Sequence, residues 1–223
     1  MATILAINPN SSTSVTRSME ACLDGVKAST RHEVLCTELA EGPPGIETDA
    51  HVLEVIPLLA DAISASDADA FVISCFSDPG LDLLRAKTDK PVLGIAEAAY
   101  LAALGTGKRF GIVSLGPSSI GRHLRYLRQL KLDGRLAGDR SIDMTIPELM
   151  ANNVVEGVCR IGRLLRDEDG ADVIILGCAG LGSYRAAVEA ELGLPVIDPV
   201  QAGVALAATN LDMNYKRKRA NGG

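Results

Sequence analysis

An internal repeat constrains the fold of this chain more than any other feature of its sequence. Three segments recur in the same order in two successive halves of the chain. Chance readily produces one such match, but three in one order indicate two similar units related by a pseudo-twofold axis. The matching pairs are residues 68–75 with 171–178, residues 91–93 with 195–197, and residues 7–12 with 115–120.

Short apolar runs alternate with amphipathic segments along the chain. This alternation is typical of parallel βαβ units, with helices on both faces of a sheet. We therefore expect an α/β fold with two parallel sheets, and Pro57 predicts a kink or break in one helix. The predicted strands are residues 2–8, 33–39, 70–74, 91–95 and 109–115, and the predicted helices are residues 12–27, 49–66 and 81–87.

The repeat also predicts the domain organisation. We expect a first lobe over residues 1–100 and a second lobe over 101–205, with a hinge near the glycines of residues 105–107. An apolar helix at about 200–209 is expected to pack back on the first lobe. Residues 210–223 have no apolar periodicity and predict a flexible tail. Its basic cluster, 216–219, is interpreted as solvated or as a weak anion contact.

The composition excludes several classes of partner. The net charge is −6, and the 223 residues include three Phe, four Tyr and no Trp, so nucleic-acid binding is not expected. No apolar run reaches the ~18 residues that span a bilayer, and the N-terminus has no basic signal segment. Five cysteines without a C-x-x-C pair indicate reduced thiols. We expect a cytoplasmic protein that acts on a small molecule, with a homo-oligomer as its assembly.

Motifs for cofactors and metals do not occur in the sequence. The chain contains no G-x-G-x-x-G, no P-loop and no G-x-S-x-G elbow. Its three histidines, His32, His51 and His123, are scattered and lie near no cysteine or carboxylate at ligand spacing. We therefore expect neither a cofactor nor a metal site.

Two cysteines occupy equivalent places in the repeat. Cys75 and Cys178 each end a predicted buried strand, and each opens a glycine-containing loop that leads into a helix. Because the carboxyl ends of parallel strands face the ligand crevice, both thiols are expected to face one cleft from opposite sides. Free backbone N–H groups and a helix dipole are expected to lower the thiol pKa there.

Two opposed thiols suit the inversion of a carbon stereocentre. One thiolate removes a proton from one face, and the opposite thiol returns a proton to the other face. The two thiolates would repel each other, so the pair favours one charged and one neutral member. The remaining cysteines, Cys22, Cys36 and Cys159, are interpreted as small hydrophobic residues within helices or strands.

Four segments resemble one enzyme family. They are INPNSS at 7–12, SCFSDPGLD at 74–82, GIAEAA at 94–99 and LGCAGL at 176–181. In order and spacing they are similar to the aspartate/glutamate/hydantoin racemase superfamily, most of all to its hydantoin and allantoin racemases. The resemblance implies two pseudo-symmetric flavodoxin-like lobes with an active-site cleft between them. It also implies cofactor-independent racemisation by two cysteines, which by motif are Cys75 and Cys178.

Related enzymes of the superfamily provide alternatives. Arylmalonate decarboxylases keep only the second cysteine, so decarboxylation is disfavoured here. Maleate isomerases carry two cysteines but use one as a nucleophile, and the INPN and GI-x-EAA segments fit the racemases better. One departure is the pair Ser114-Leu115, where the family often has Thr-Thr. Ser114 can still donate a hydrogen bond.

Further residues are substrate-binding candidates because of their positions near strand ends. Several have structural alternatives: Asn10 as a helix N-cap, Glu97 as a solvated or structural carboxylate, and Phe76 as plain packing. Backbone N–H groups after each cysteine are expected to stabilise an oxyanion. The candidates are Asn10, Ser74, Phe76, Ser77, Glu97, Ser114, Ser118, Ser119, Ala179 and Gly180.

The sequence hypothesis is a racemase that inverts C5 of a five-membered cyclic ureide, either allantoin or a 5-substituted hydantoin. No Arg or Lys lies in the four motif segments, which favours a neutral ring over an amino acid with a carboxylate. The alternatives are an amino-acid racemase or maleate-type isomerase on the same fold, and a two-lobed ligand-binding module without chemistry.

Overall fold

The computed structural model describes residues 1–215 and contains the two parallel sheets that the sequence predicts. Each sheet has four strands, and the strand order is the same in both: β2-β1-β3-β4 in the first and β6-β5-β7-β8 in the second. The strands are β1 (Thr3–Asn8), β2 (Glu33–Glu38), β3 (Ala70–Ile73), β4 (Val92–Gly94), β5 (Phe110–Ser114), β6 (Leu136–Ser141), β7 (Val173–Leu176) and β8 (Val196–Ile197).

Helices connect successive strands and cover the sheet faces. Short 3₁₀ segments occur at Asp133–Arg135 and Ala179–Tyr184. The α-helices are α1 (Thr13–Cys22), α2 (Asp24–Ser29), α3 (Asp49–Ala65), α4 (Leu81–Lys87), α5 (Ile95–Leu104), α6 (Pro117–Leu130), α7 (Ile146–Ala151), α8 (Val155–Asp167), α9 (Arg185–Leu192) and α10 (Pro199–Asp212).

Two local predictions about helices differ from the structure. The helix predicted over 12–27 is divided into α1 and α2 at Leu23, whose side chain is fully buried in the core. Of the kink or break predicted at Pro57, the break does not occur, because α3 continues through this residue. Pro57 lies on the exposed side of the helix, where water can satisfy the backbone carbonyl that loses its partner.

The last helix of each half packs against the sheet of the other half. Helix α5 follows β4 directly and packs on the second sheet, where Tyr100 lies against Phe110 with ring centroids 5.6 Å apart. Helix α10 follows β8 and packs against β1, β3 and β4 of the first sheet. The two helices also contact each other. Each half therefore supplies a helix that completes the core of the other.

Close approach of α10 to the first sheet depends on Gly203. Gly203→Ala is expected to lower the free energy of unfolding by about 1 kcal/mol or more, because overpacking of a core costs ~1–3 kcal/mol. The new Cβ would lie 2.8 Å from Cγ1 of Val72 and 3.1 Å from Cγ2 of Ile95.

Gly157→Ala in α8 is the matched control. Its Cβ would meet no atom within 4 Å, and alanine stabilises a helix interior by ~0.5–1 kcal/mol relative to glycine. Urea unfolding of both variants and the parent protein tests the packing. If the Gly203→Ala variant is as stable as the Gly157→Ala variant, close packing of α10 at Gly203 does not limit stability and the prediction is wrong.

The last helix is longer than the sequence predicts. Helix α10 continues to Asp212 rather than ending near 209. The tail predicted over 210–223 therefore begins inside this helix, and residues 216–223, with the basic cluster, lie outside the described residues. Within residues 1–215, no helix is both long and apolar enough to cross a bilayer.

Candidate active site

The two sheets present their strand ends to a common cavity. In each sheet, the first strand of the half pairs with its second strand on one side and its third strand on the other. Ligands of open α/β sheets bind beyond the carboxyl ends of the strands at such a point. A cavity of about 370 Å³ lies there, and Cys75, beyond β3, and Cys178, beyond β7, both line it.

The end of β7 positions Cys178. Its sulfur accepts a hydrogen bond from the N–H of Gly180 at 3.4 Å, at the start of the 3₁₀ segment. The preceding Gly177 lies against β5, where a Cβ would stand 2.8 Å from the carbonyl oxygen of Val113. Glycine at this position allows β7 and β5 to stay close together. This close packing determines the position of Cys178, the next residue, at the edge of the sheet.

The loop after β3 positions Cys75 through Asp78. The Asp78 carboxylate accepts hydrogen bonds from the N–H groups of Ala96 at 2.9 Å and Glu97 at 2.8 Å, at the first turn of α5. The Tyr126 hydroxyl donates to the same carboxylate at 3.3 Å. These contacts tie the cysteine loop to the helix that packs on the second sheet.

The prediction that the two thiols have lowered pKa values is wrong. Burial raises the pKa of Cys75 to about 11 and that of Cys178 to about 12. Hydrogen bonds from the backbone of Ser77 and of Gly180 lower the two pKa values, but less than burial raises them. In the free protein at neutral pH, both thiols are therefore protonated.

Burial is the main cause of the raised thiol pKa values, and two further features act in the same direction. The α-helices after the cysteines begin only at Leu81 and Arg185, and a helix dipole acts mainly within its first turn. Asp198 and Glu47 add negative charge that raises the pKa of Cys178 further, as does ionisation of Cys75. A thiolate formed in this cavity is consequently a strong base for its type.

Most of the predicted site residues lie together, but three do not line the cavity. Glu97 forms an ion pair with Arg85 at 2.9 Å. Ser114 is fully buried behind the wall, and Gly180 contributes its N–H to the Cys178 sulfur. The predicted residues that line the cavity with the two cysteines are Asn10, Ser74, Phe76, Ser77, Ser118, Ser119 and Ala179.

Local hydrogen bonds already engage several of these polar side chains. The Asn10 side-chain oxygen accepts from the N–H of Ser12 at 2.9 Å, so Asn10 orders the turn before α1. Ser118 donates to the carbonyl of Glu47 at 2.7 Å, and Ser119 donates to that of Gly116 at 2.8 Å. Ser118 thereby joins the two halves across the cavity.

The sequence analysis missed the charged side chains of the cavity, which are Glu47, Arg122, Asp143 and Glu148. All four lie outside the four motif segments. Arg122 lies one helical turn after Ser118 on α6, so helical spacing from the serine pair could have found it. Among residues 1–215, Arg122 is the one Arg or Lys that lines this cavity.

Arg122 is held by two partners. Its Nε donates to the Ser77 hydroxyl at 3.1 Å, and its guanidinium forms an ion pair with Asp49 at 2.8 Å. Arg125 pairs with the same carboxylate. The Glu47 carboxylate accepts from the N–H of Ile146 at 2.9 Å. These contacts join the first half to α6 and α7 of the second half around the cavity.

The cavity offers one acid–base thiol from each sheet. Cys75 and Cys178 come from equivalent strands of the two sheets, and hydroxyl and backbone N–H groups surround them. Within the described part of the chain, no three His, Cys, Asp or Glu side chains group closely enough to hold a metal ion. Paired proton transfer at carbon is the chemistry that such a thiol pair can perform.

The fold and the sequence both match a racemase family. The chain belongs to the Asp/Glu/Hydantoin racemase family, whose model matches residues 4–207. The matched range includes both sheets and both cysteines. The protein is therefore an isomerase of the racemase type.

Individual relatives show how far the similarity extends. The hydantoin racemase of Paenarthrobacter aurescens is 35% identical over 225 residues, which cover 98% of this chain and 94% of that protein. The structure of allantoin racemase from Klebsiella pneumoniae matches with a TM-score of 0.93 at 30% identity, covering 99% of this chain and 92% of that one. Glutamate racemase from Francisella tularensis, at 15% identity and a TM-score of 0.70 over 98% and 85% of the two chains, shares the fold alone. The predicted two-lobed flavodoxin-like architecture is confirmed.

Proposed function

We propose that this protein inverts C5 of a five-membered cyclic ureide, either allantoin or a 5-substituted hydantoin, by proton transfer between Cys75 and Cys178. The observation that carries the proposal is the placement of the two thiols. They follow equivalent strands of the two sheets and line one cavity of about 370 Å³.

The chemistry needs one thiolate and one thiol. The thiolate takes the C5 proton, and the C–H electron pair delocalises onto the adjacent ring carbonyl. The opposite thiol then gives its proton to the other face of C5, so the two sulfurs exchange roles and the product is the enantiomer. Because ionisation of one thiol disfavours ionisation of the other, a pair that has lost one proton retains the second, which is the singly charged state that the reaction requires.

The developing negative charge on the carbonyl oxygen needs hydrogen-bond donors. The backbone N–H groups after the two cysteines, at Phe76 and Ala179, lie beside the thiols, and the hydroxyls of Ser74 and Ser77 also line the cavity. Donors that are already oriented stabilise an oxyanion without reorganisation during the reaction.

Charge in the cavity favours a neutral ring over an amino acid. Arg122 is already paired with Asp49, and Glu47, Asp143 and Glu148 contribute carboxylates to the lining. A free α-carboxylate would enter without an unpaired cation to receive it. The names of the relatives, hydantoin racemase and allantoin racemase, support the same substrate class. Amino-acid racemisation and maleate-type isomerisation remain the alternatives on this fold.

A panel of enantiopure substrates tests the proposed function. We expect the optical rotation of allantoin or of at least one 5-substituted hydantoin to decay to zero far faster than in a protein-free control. Aspartate and glutamate should keep their rotation, and maleate should not convert to fumarate. Racemisation of an amino acid without activity on any cyclic ureide would contradict the proposal.

A further inference from the structure

A buried histidine on the cavity wall takes no part in the proposed proton transfer. His123 on α6 lines the cavity, although its side chain is only 2% exposed. Its ring meets that of Phe76 edge to face, with centroids 5.0 Å apart and an angle of 87° between the planes. Phe76 directly follows Cys75, so the imidazole stands beside the thiol loop of the first half.

Asp139 on β6 determines which nitrogen of His123 carries a proton. Nδ1 lies 2.8 Å from the Asp139 carboxylate, whose side chain is 3% exposed. The Ser114 hydroxyl donates to the other oxygen of this carboxylate. A carboxylate oxygen accepts a hydrogen bond from Nδ1–H, and the tautomer with its proton on Nδ1 has a lone pair on Nε2.

Nε2 of His123 is the polar atom of the ring that remains for a ligand. Within residues 1–215, no protein group bonds to it, and it is not among the enclosed side-chain atoms without a hydrogen-bond partner. The side chain therefore has an acceptor at the cavity, with an orientation fixed by Asp139 and by the Phe76 contact.

The Ser114–His123–Asp139 cluster is not a nucleophilic triad. In such a triad the serine contacts the nitrogen that the carboxylate does not. Here Ser114 lies on the same side as Asp139, 3.3 Å from Nδ1, and it is fully buried. The cluster therefore positions the imidazole rather than activating the serine.

We infer that Nε2 of His123 accepts a hydrogen bond from a ring N–H of the cyclic ureide. The inference rests on the proposed function, because the ring is the ligand that presents these donors. Both ring nitrogens of a hydantoin carry N–H groups, and each must find an acceptor when the ring is buried. The three cavity carboxylates already accept hydrogen bonds within the protein. Glu47 accepts from the N–H of Ile146, Glu148 from that of Thr145, and Asp143 from the Ser141 hydroxyl.

Ligand analogues that lack one ring donor test the contact. In one analogue a ring oxygen replaces N1–H, and in the other a methyl group replaces the N3 hydrogen. Their inhibition constants are measured against racemisation of the parent ureide. For the wild-type protein we expect one analogue to bind roughly tenfold or more weakly than the parent ring, since an unmade buried hydrogen bond has about that cost.

His123→Asn removes the acceptor while keeping the anchor. An asparagine amide nitrogen can take the place of Nδ1 and donate to Asp139, but the side chain has no atom at the position of Nε2. We expect this variant to bind the parent ring more weakly and to lose the discrimination against the sensitive analogue. A purely structural defect would weaken all three ligands by the same factor.

His32→Asn is the matched control. His32 is also buried and bonded to a carboxylate, Asp212 at 3.1 Å, but it does not line the cavity. The control should keep the wild-type discrimination. Equal discrimination in the wild type and in His123→Asn would overturn the inference. A wild-type protein that binds both analogues as tightly as the parent ring would also overturn it, and this measurement needs no variant. If the wild type racemises no ureide, the proposed function itself fails.

Discussion

Cys75→Ser and Cys178→Ser are each expected to abolish net racemisation, with kcat/KM lowered by about 10³-fold or more. Each enantiomer needs a base on one face of C5 and an acid on the other, and a serine hydroxyl is far weaker than a thiol in both roles near neutral pH. The measurement is the decay of optical rotation of each enantiomer with each variant.

Hydrogen exchange separates the roles of the two thiols. A variant that keeps one cysteine can still remove the C5 proton from one face and return solvent deuterium to the same face. Each single variant is therefore expected to exchange one enantiomer in deuterated water, with opposite preference in the two variants, and the double variant should exchange neither. NMR of the C5 proton follows this exchange.

Cys36→Ser on β2 is the control for the loss of a thiol outside the cavity. Cys36 is half-buried and does not line the cavity, so this variant should racemise at the wild-type rate. Full racemisation by either Cys75→Ser or Cys178→Ser would show that the substituted residue is not a catalytic base, and the paired-thiol proposal would be wrong.

The rate of racemisation is expected to rise steeply with pH. Burial raises the pKa of Cys75 to about 11 and that of Cys178 to about 12. Below these values the fraction of thiolate grows about tenfold per pH unit, so kcat/KM should rise about 10³-fold between pH 7 and pH 10. At still higher pH the second thiol ionises, and the acid that completes the reaction is lost.

Initial rates over this range test the sign of the pKa shift. Spontaneous racemisation is subtracted at each pH, and ionisation of the substrate N–H groups is measured separately. A profile that is level between pH 7 and pH 9 would mean that a thiolate already exists at neutral pH. That result would support the sequence-based prediction of a lowered thiol pKa and contradict the raised values.

The strands β3 and β7 and the cysteines that follow them were predictable because their signals are local. The segments Ala70–Ile73 and Val173–Leu176 are continuous apolar runs, which is the pattern of strands buried on both faces of a sheet. The cysteine beyond each run then lies at the strand end, whatever the rest of the fold. By contrast, α5 begins at Ile95 directly after β4, without a polar residue to separate it from the strand, and it was not predicted.

The remaining features of the site depend on contacts between the halves. Glu47 and Arg122 reach the cavity through partners in the opposite half, Ile146 and Asp49, and no periodicity within one segment encodes such pairs. The direction of the thiol pKa shifts is also a tertiary property. It follows from how completely the folded chain removes water from the two sulfurs, which a motif does not report.

The exchange of α5 and α10 between the sheets links the folding of the two halves. Each sheet lacks part of its apolar cover until the partner half supplies the helix, so neither half buries a complete core by itself. Unfolding is consequently expected to be one cooperative transition rather than two successive ones. Residues from both halves line the cavity, so the cavity is complete only when both halves are folded. A partly folded molecule therefore has no complete active site around either thiol.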